Sequence, residues 1–399
     1  MNILILCVAS PFPPIGGSSM RNYHLINALS KKHEVTLVSF DLSKETTLPT
    51  LRVTHIKVKW KNPPLYELMM NEDTRIITEA YEQLAFKVEL PWVASYLESE
   101  EMKETLREFR KDQFDLVLIE EVQMGQFISE LPPEIPKILD FHNVYSLMTE
   151  RALTNLHRDE NQKSKFEFER MLRFEKKISS LCAHFLVCSE KEALAAKRYL
   201  GISDVTIIPN GVDTNYFNPG ALVTESGYLL FTGTMNYEPN IEGVKWFVAH
   251  VFPIVKKHIP HASFHVVGTN PSTEVLSLAS DDIFIYGRVE DVRSFYHKAD
   301  IVVVPLLSGG GTRLKILEAA ASGKAIVTTT LGVEGQDFKH PEELFVVDDP
   351  TQFANAVIDL LINHKKRKAL EGNVRDPALK YSWELIGSNL DRAVGKVIG

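Results

Sequence analysis

The stretch that decides the fold reads Pro305-Leu-Leu-Ser-Gly-Gly-Gly-Thr-Arg-Leu-Lys-Ile-Leu-Glu-Ala-Ala-Ala-Ser-Gly323. It follows Asp300-Ile-Val-Val-Val304, a continuous apolar run of the kind buried on both faces of a parallel sheet. Gly309, Gly310 and Gly311 allow a sharp turn and a close approach of ligand to backbone. From Thr312 the apolar residues Leu314, Leu317, Ala320 and Ala321 recur at helical spacing, and Gly323 is a fitting stop. Strand, glycine turn and helix in that order leave free N–H groups and a positive dipole end beside the glycines, where a phosphate binds well. Arg313 and Lys315 add two cations there, and Glu318 lies one to two turns further in. An ordinary strand-to-helix turn of an α/β protein accounts for three glycines alone. A turn that also carries Thr-Arg-Leu-Lys and then an acid is less often idle.

Outward from this turn the pattern alternates. Tyr228–Thr232, 262–267, 282–286 and 300–304 read as strands, with helices at 239–257 and 291–298, which makes a doubly wound unit. Pro209-Asn-Gly-Val-Asp213 breaks the alternation and marks a hinge. Before the hinge a second unit begins with the apolar strand 3–8 and Pro11-Phe-Pro-Pro-Ile-Gly-Gly17, with Ser18 or Ser19 placed to cap a helix starting near Met20. Strands follow at Glu34–Ser39, Val53–Val58, Phe114–Ile119 and Ile135–Asp140, with helices over 72–112. Tyr145 to Leu181 is amphipathic and charge-mixed, with Phe166, Met171, Phe174 and Ile178 near one helical face. Its default reading is a core-facing helix with a solvated back; a membrane-surface or acceptor contact is the minority reading. His184–Cys188 and Val205–Ile208 are further strands, with Ser189 capping the helix between them. Tyr381-Ser-Trp-Glu384 opens a last helix to about Val397. His142 follows the strand that ends at Asp140. A lone histidine there is more often packed than catalytic, but strand C-termini form the ligand crevice of an open α/β sheet.

With 399 residues the chain is comfortable as two domains, and 44% hydrophobic with 24% charged residues is ordinary for a globular protein with a full core. A formal charge of −8 argues against an electrostatic nucleic-acid binder. No apolar run approaches a membrane span, and the start reads as a strand, not a signal peptide. Cys7, Cys182 and Cys188 lie among apolar residues and read as packed thiols, which fits a reducing, cytoplasmic setting.

The donor-loop stretch, P-L-x-x-G-G-G-T-R-L-K-I-L-E-A-x-A-x-G, resembles that of bacterial glycosyltransferase family 4, of the retaining GT-B kind. The resemblance implies an α/β fold of two doubly wound Rossmann-like domains facing a cleft: an acceptor domain at 1–208, a nucleotide-sugar donor domain at 209–380, and a helix at 381–399 crossing back to the first. It implies that Gly309, Gly310, Gly311, Thr312 and Leu314 hold the donor diphosphate and that Glu318 binds the ribose. Gly233-Thr234-Met-Asn-Tyr-x-Pro-Asn resembles the family's first donor-domain loop, and Gly287-Arg288-Val289 the segment that packs on the base. Gly16 and Gly17 resemble the N-terminal glycine loop facing the leaving phosphate, and the family places a histidine where His142 stands. Arg313 and Lys315, with His142, are the catalytic candidates. The family's usual first glutamate of its paired-acid motif falls on Gly310, as in a sub-branch with this G-G-G-T-R-L-K variant. There is no Asp-x-Asp in the chain. A metal with carboxylate ligands is therefore not expected, and fixed donors and cations would take its place.

The partners implied are a nucleotide-sugar donor and a glycan, lipid-linked or protein acceptor, with no cofactor and no nucleic acid; the setting is cytoplasmic or the inner face of the membrane. The rival readings are an epimerase of the same fold, a non-catalytic nucleotide-sugar-binding subunit prompted by the missing glutamate, and a Rossmann redox enzyme. The last lacks G-x-G-x-x-G after the first strand.

Overall fold

A computed structural model describes residues 1–14, 16–42, 52–60, 90–154, 161–220 and 224–398. Of the helices expected over 72–112, the part at 72–89 lies outside these residues; Trp92–Ser95 and Glu100–Arg107 are helical. The chain divides into two compact units, Met1–Ile208 with Gly387–Gly399, and Pro209–Ile386.

Among the described residues, unit 1 is built on seven parallel strands: β1 (Asn2–Ala9), β2 (Glu34–Phe40), β3 (Val53–Val58), β4 (Leu116–Glu120), β5 (Lys137–Phe141), β6 (His184–Val187) and β7 (Thr206–Ile207). Their order is β3-β2-β1-β4-β5-β6-β7, so the winding reverses between β1 and β4. Ile3 to Cys7 are fully buried because β1 is central and covered on both faces. Helix α1 (Gly17–Ser30) starts three residues earlier than its sequence suggests. Gly16 is its N-cap, and neither Ser18 nor Ser19 caps it. The Ser18 hydroxyl is drawn instead to Glu121.

The segment after His142 forms α2 (Tyr145–Thr154) and α3 (Asn161–Ser179). Met171, Phe174 and Ile178 are buried, whereas Phe166 is exposed with Arg170 over its ring. At about 100° per residue, a side chain eight positions before Phe174 has rotated roughly 80° off that face. Glu175, on the same helix, is fully buried: its carboxylate accepts from the N–H groups of Tyr145 at 2.7 Å and Ser146 at 3.1 Å. Glu192 does the same for Val144 at 2.6 Å. The start of α2 is thereby satisfied by two acids.

Unit 2 repeats the plan with β8 (Tyr228–Thr232), β9 (Ser263–Val267), β10 (Ile283–Tyr286), β11 (Ile301–Val304), β12 (Ala325–Thr328) and β13 (Phe345–Val346), in the order β10-β9-β8-β11-β12-β13. The reversal falls between β8 and β11. Helix α4 (Glu238–Trp246) follows β8, and α5 (Leu314–Ala321) follows β11. Thr312 lies outside α5, because Arg313 is extended, with φ −89° and ψ 97°. Beyond the sequence assignments, α6 (Pro350–Ile362) and α7 (His364–Leu379) complete the unit, burying Phe353, Val357, Leu360 and Val374.

The last helix, α8 (Trp383–Ile398), changes unit after its first turn. The boundary falls at 386/387, six residues past the expected 380/381. Tyr381 O accepts from Val212 N at 2.8 Å, and Val212 O from Trp383 N at 3.3 Å, which keeps this stretch with unit 2. The remainder belongs to unit 1: Gly387 packs on Ala28 of α1, and Asp391 pairs with Lys32 at 2.6 Å and His33 at 2.7 Å. Leu390, Ala393 and Val394 are buried.

Candidate active site

In sheets of this order a ligand sits outside the C-terminal strand ends where the winding reverses. In unit 2 those ends are Gly233-Thr234 after β8 and the turn 305–313 after β11. Gly309 and Gly311 take φ of 100° and 73°, a left-handed region that side chains disfavour. The Arg313 guanidinium folds back and donates to the carbonyls of Gly310 and Gly311, so it braces the turn. Gln336 Nε2 donates to Arg313 O at 2.7 Å from the other side. No side chain caps α5, and Thr312 Oγ1 is buried without a hydrogen-bond partner. The turn therefore has bare N–H groups and a spare hydroxyl beside a helix start, the makings of an anion site.

Lys315 is half-buried. Its Nζ donates to Asn240 Oδ1 at 2.8 Å and stands 3.9 Å from the centroid of the Phe231 ring. Asn240 Nδ2 in turn donates to Thr234 O at 2.8 Å, which links the two loops. Gly233 lies close beneath this pair: a Cβ there would stand 2.8 Å from Lys315 Nζ and 2.8 Å from Asn240 Nδ2, so both side chains would have to shift. Desolvation, with Arg313 adding repulsion and Glu318 opposing, lowers the Lys315 pKa to about 7. Glu318 is half-buried and accepts from Tyr296 OH at 2.8 Å; that hydroxyl also meets Thr232 Oγ1 at 2.8 Å. Burial raises the Glu318 carboxyl, against the Tyr296 hydrogen bond and Lys315. Leu314 packs its side chain on the core of the unit. Gly287, Arg288 and Val289 follow β10, two strand positions from β8. Gly287 and Arg288 are exposed and Val289 is half-buried.

In unit 1 the corresponding ends carry acids. Glu120 closes β4 and Asp140 lies next to it on β5, both fully buried. Arg21 of α1, also buried, donates to Asp140 from Nε at 3.0 Å and from Nη2 at 2.8 and 3.0 Å; its Nη1 donates to Ile208 O at 2.8 Å. His142 Nε2 is 2.9 Å from Glu120 Oε2, and its Nδ1 is 3.5 Å from Glu121 Oε1 and 3.3 Å from Ser18 Oγ. Burial alone would lower the imidazole pKa, but Glu121, Glu120 and Asp140 together raise it. Burial, then the Asp140 charge, pushes Glu120 up to about 7 against the pull of His142 and Arg21. Gly16 and Gly17 are exposed at the start of α1, with open space above both. The fold thus brings Gly17, through its neighbour Ser18, to His142.

Ligand atoms of Glu120, Asp140 and His142 lie within 4.8 Å of one another. Arg21 already occupies both oxygens of Asp140, and a divalent cation there would meet a guanidinium at contact distance. The donor set is an internal ion network and does not fit a resident metal. Asn240, Tyr296, Arg21, Glu120 and Glu121 escaped the sequence reading as site residues. Only Asn240 had a local signal, the Pro-Asn pair after the Gly233 loop.

Comparison with known proteins sets this geometry in context. Residues 226–363 match the family model described as glycosyl transferases group 1, and residues 15–216 that of glycosyltransferase family 4. A phosphatidyl-myo-inositol mannosyltransferase of Mycolicibacterium smegmatis is 26% identical over 208 residues, 49% of this chain and 53% of that one. The match thus spans about half the length of that curated relative. Among solved structures, the sucrose-phosphate synthase of Thermosynechococcus elongatus superposes with a TM-score of 0.74 at 16% identity, covering 99% of this chain and 98% of that one. Anabaena HepE in complex with UDP and glucose gives 0.67 at 14%, covering 98% and 99%. Both likenesses concern the fold, two parallel-sheet Rossmann-like domains of the GT-B type.

Proposed function

This chain belongs to glycosyltransferase family 4, and from that premise we propose that it moves a sugar from a nucleoside-diphosphate sugar to a hydroxyl of a glycan, lipid-linked or protein-linked acceptor, with retention and without a metal. The observation that carries the reading is the turn Gly309–Gly311. Its carbonyls are drawn inward by Arg313, and its helix start has no side-chain cap. The amide side is left for a diphosphate. Lys315 supplies a cation whose charge grows in value as the leaving phosphate becomes negative, and Glu318 accepts from the ribose. The sugar passes through an oxocarbenium-like state, and the departing phosphate helps take the acceptor proton on the same face. HepE, solved with UDP and glucose, lends support to a uridine donor.

A non-catalytic nucleotide-sugar binder remains the second reading, because Gly310 stands where the family usually has a glutamate. One experiment addresses both. UDP, GDP, ADP and their sugars are screened by thermal shift in EDTA, and the donor that stabilises most is offered to glycan and lipid acceptors. Binding with transfer supports the enzyme. Binding with neither transfer nor donor hydrolysis supports the binder, and no stabilisation by any nucleotide removes both.

A further inference from the structure

Tyr296, on the short helix Arg293–Lys298, is fully buried, and its ring meets Phe217 edge-on with 5.7 Å between centroids. A phenylalanine would fill that space without taking a hydroxyl out of water, a cost that the bonds of the phenol oxygen must offset. It has two partners, Glu318 Oε2 at 2.8 Å and Thr232 Oγ1 at 2.8 Å. A phenol has one proton to give. Burial and the Glu318 charge hold that proton on Tyr296. Tyr296 donates it to Glu318, so the Thr232 hydroxyl is the donor to the phenol oxygen. A string of fixed polarity thus runs from the end of β8 to the second turn of α5. One carboxylate oxygen is committed to the interior, whereas Glu318 Oε1 has no hydrogen-bond partner among the described residues.

We propose that Tyr296 is a positioning residue for the donor nucleotide: its hydroxyl pins Glu318 Oε2 and leaves Oε1 to accept from a ribose hydroxyl. This rests on the reading of Glu318 as the ribose ligand and adds the group that sets its orientation. An unpinned carboxylate turns about its last torsion and loses that freedom only when a ligand arrives, which weakens binding. Pinned in advance by a buried phenol, it meets the ribose already oriented. Thr232 extends the same control to the strand end that leads into Gly233 and Thr234. Lys315 is held separately, by Asn240, so the phenol hydroxyl should matter to donor affinity more than to turnover.

The test is calorimetry on the full chain with UDP, GDP and ADP, each against its 2′-deoxy and 3′-deoxy form. The nucleotide bound most tightly carries the comparison. Wild type should prefer that ribonucleotide over at least one deoxy form by about tenfold or more. Glu318→Ala should abolish the preference. Tyr296→Phe keeps the ring and should cut the preference about three- to tenfold, while binding the deoxy form as wild type does. Adding Tyr296→Phe to Glu318→Ala should cost no further preference, since no carboxylate is left to orient. In transfer assays Tyr296→Phe should raise the donor KM more than it lowers kcat.

A wild type without the preference, or a Glu318→Ala variant that keeps it, overturns the ribose reading and the positioning role with it. A preference lost in Glu318→Ala but intact in Tyr296→Phe overturns the positioning role alone. Equal weakening of ribonucleotide and deoxynucleotide in Tyr296→Phe means that the phenol only packs, and overturns the role as well. Thr232→Val reaches the same hydroxyl from its other side and decides the matter if Tyr296→Phe does not fold. A reduced preference there upholds the string, and an unchanged one overturns it. Binding of none of the three nucleotides removes both readings.

Discussion

In unit 1 the strand ends at the winding reversal and beside it carry Glu120, Glu121 and Asp140, whereas in unit 2 the ends of β8 and β11 carry Gly233, the glycine turn, Arg313 and Lys315. The helix that follows β5 has its start filled by Glu175 and Glu192; the helix that follows β11 has no side-chain cap. Strand order is the same in both sheets up to the sixth strand. One topology therefore presents a glycine turn with cations in one unit and acids paired with Arg21 and His142 in the other. Shape alone does not say which surface takes a phosphate; the side chains at the strand ends do.

The largest expected break of this contrast is in unit 1. Arg21→Met leaves Asp140 buried without its cation, and losing one partner of such a pair costs about 3–5 kcal/mol. Hydrogen exchange should then show lost protection in unit 1 with unit 2 unchanged. Equal loss in both would mean the network is not local to unit 1.

In unit 2, Lys315→Met should lower the single-turnover transfer rate about 10²–10³-fold, the usual loss for one donor to a developing oxyanion. Glu318→Gln should act chiefly on donor affinity, by roughly 1.5–3 kcal/mol, raising KM more than it lowers kcat. Near-normal constants for both variants would remove the phosphate assignment from this turn.

A smaller effect sharpens the charge argument. Lys315 titrates at about 7 in the free protein, and a bound diphosphate favours its protonated form. Nucleotide affinity should therefore fall above pH 7, by at most about tenfold per pH unit. Calorimetry in buffers of different ionisation enthalpy should show close to one proton taken up on binding at pH 8 and almost none at pH 6. Lys315→Met should abolish the uptake.

The smallest effect is a tilt of stability with pH, opposite for the buried acids Glu120 and Glu175 of unit 1 and for Lys315 of unit 2. Glu120 and Glu175 have folded pKa values raised from 4.5 to about 7. Their contribution to unit 1 is fully present below 4.5 and is lost as pH rises through about 7. Lys315 is lowered from 10.5 to about 7, so its contribution to unit 2 is present above 10.5 and is lost as pH falls through about 7. Residue-resolved exchange at pH 5.5 and 8.5 should show unit 1 gaining at the lower pH relative to unit 2. The reverse order would show that other groups outweigh these three.

Much of unit 2 was legible in the sequence because its signals are local. The glycine turn, the apolar strand before it and the helical spacing after it occupy fewer than thirty consecutive residues. Unit 1 hides its chemistry in long-range pairs. Arg21 and Asp140 are 119 positions apart, and Ser18 and Glu121 are 103. No periodicity records such a meeting. Ser18 illustrates the difficulty: it has the composition of a cap, yet a carboxylate from another strand outcompetes the helix end. The positive φ at Glu121 is equally silent, since only a glycine or asparagine would have announced it. Lys315 was visible as a cation, but its surroundings depend on Phe231 and Asn240, which are 84 and 75 positions away in the chain. The change of unit inside α8 was missed by six residues because nothing in a helix marks the point at which it changes partners.

That last helix has a consequence for how the molecule is made. Unit 1 is discontinuous: Gly387 packs on Ala28 of α1 and Asp391 pairs with Lys32 and His33 just beyond that helix, yet about 180 residues of unit 2 intervene. At roughly 5–20 residues per second, a ribosome needs on the order of 10–40 s to cross them. Throughout that interval residues 1–208 exist with the seat of this helix still empty, and at its end unit 2 has all of its own residues while unit 1 still lacks its last thirteen. The domain encoded first is thus the one finished last.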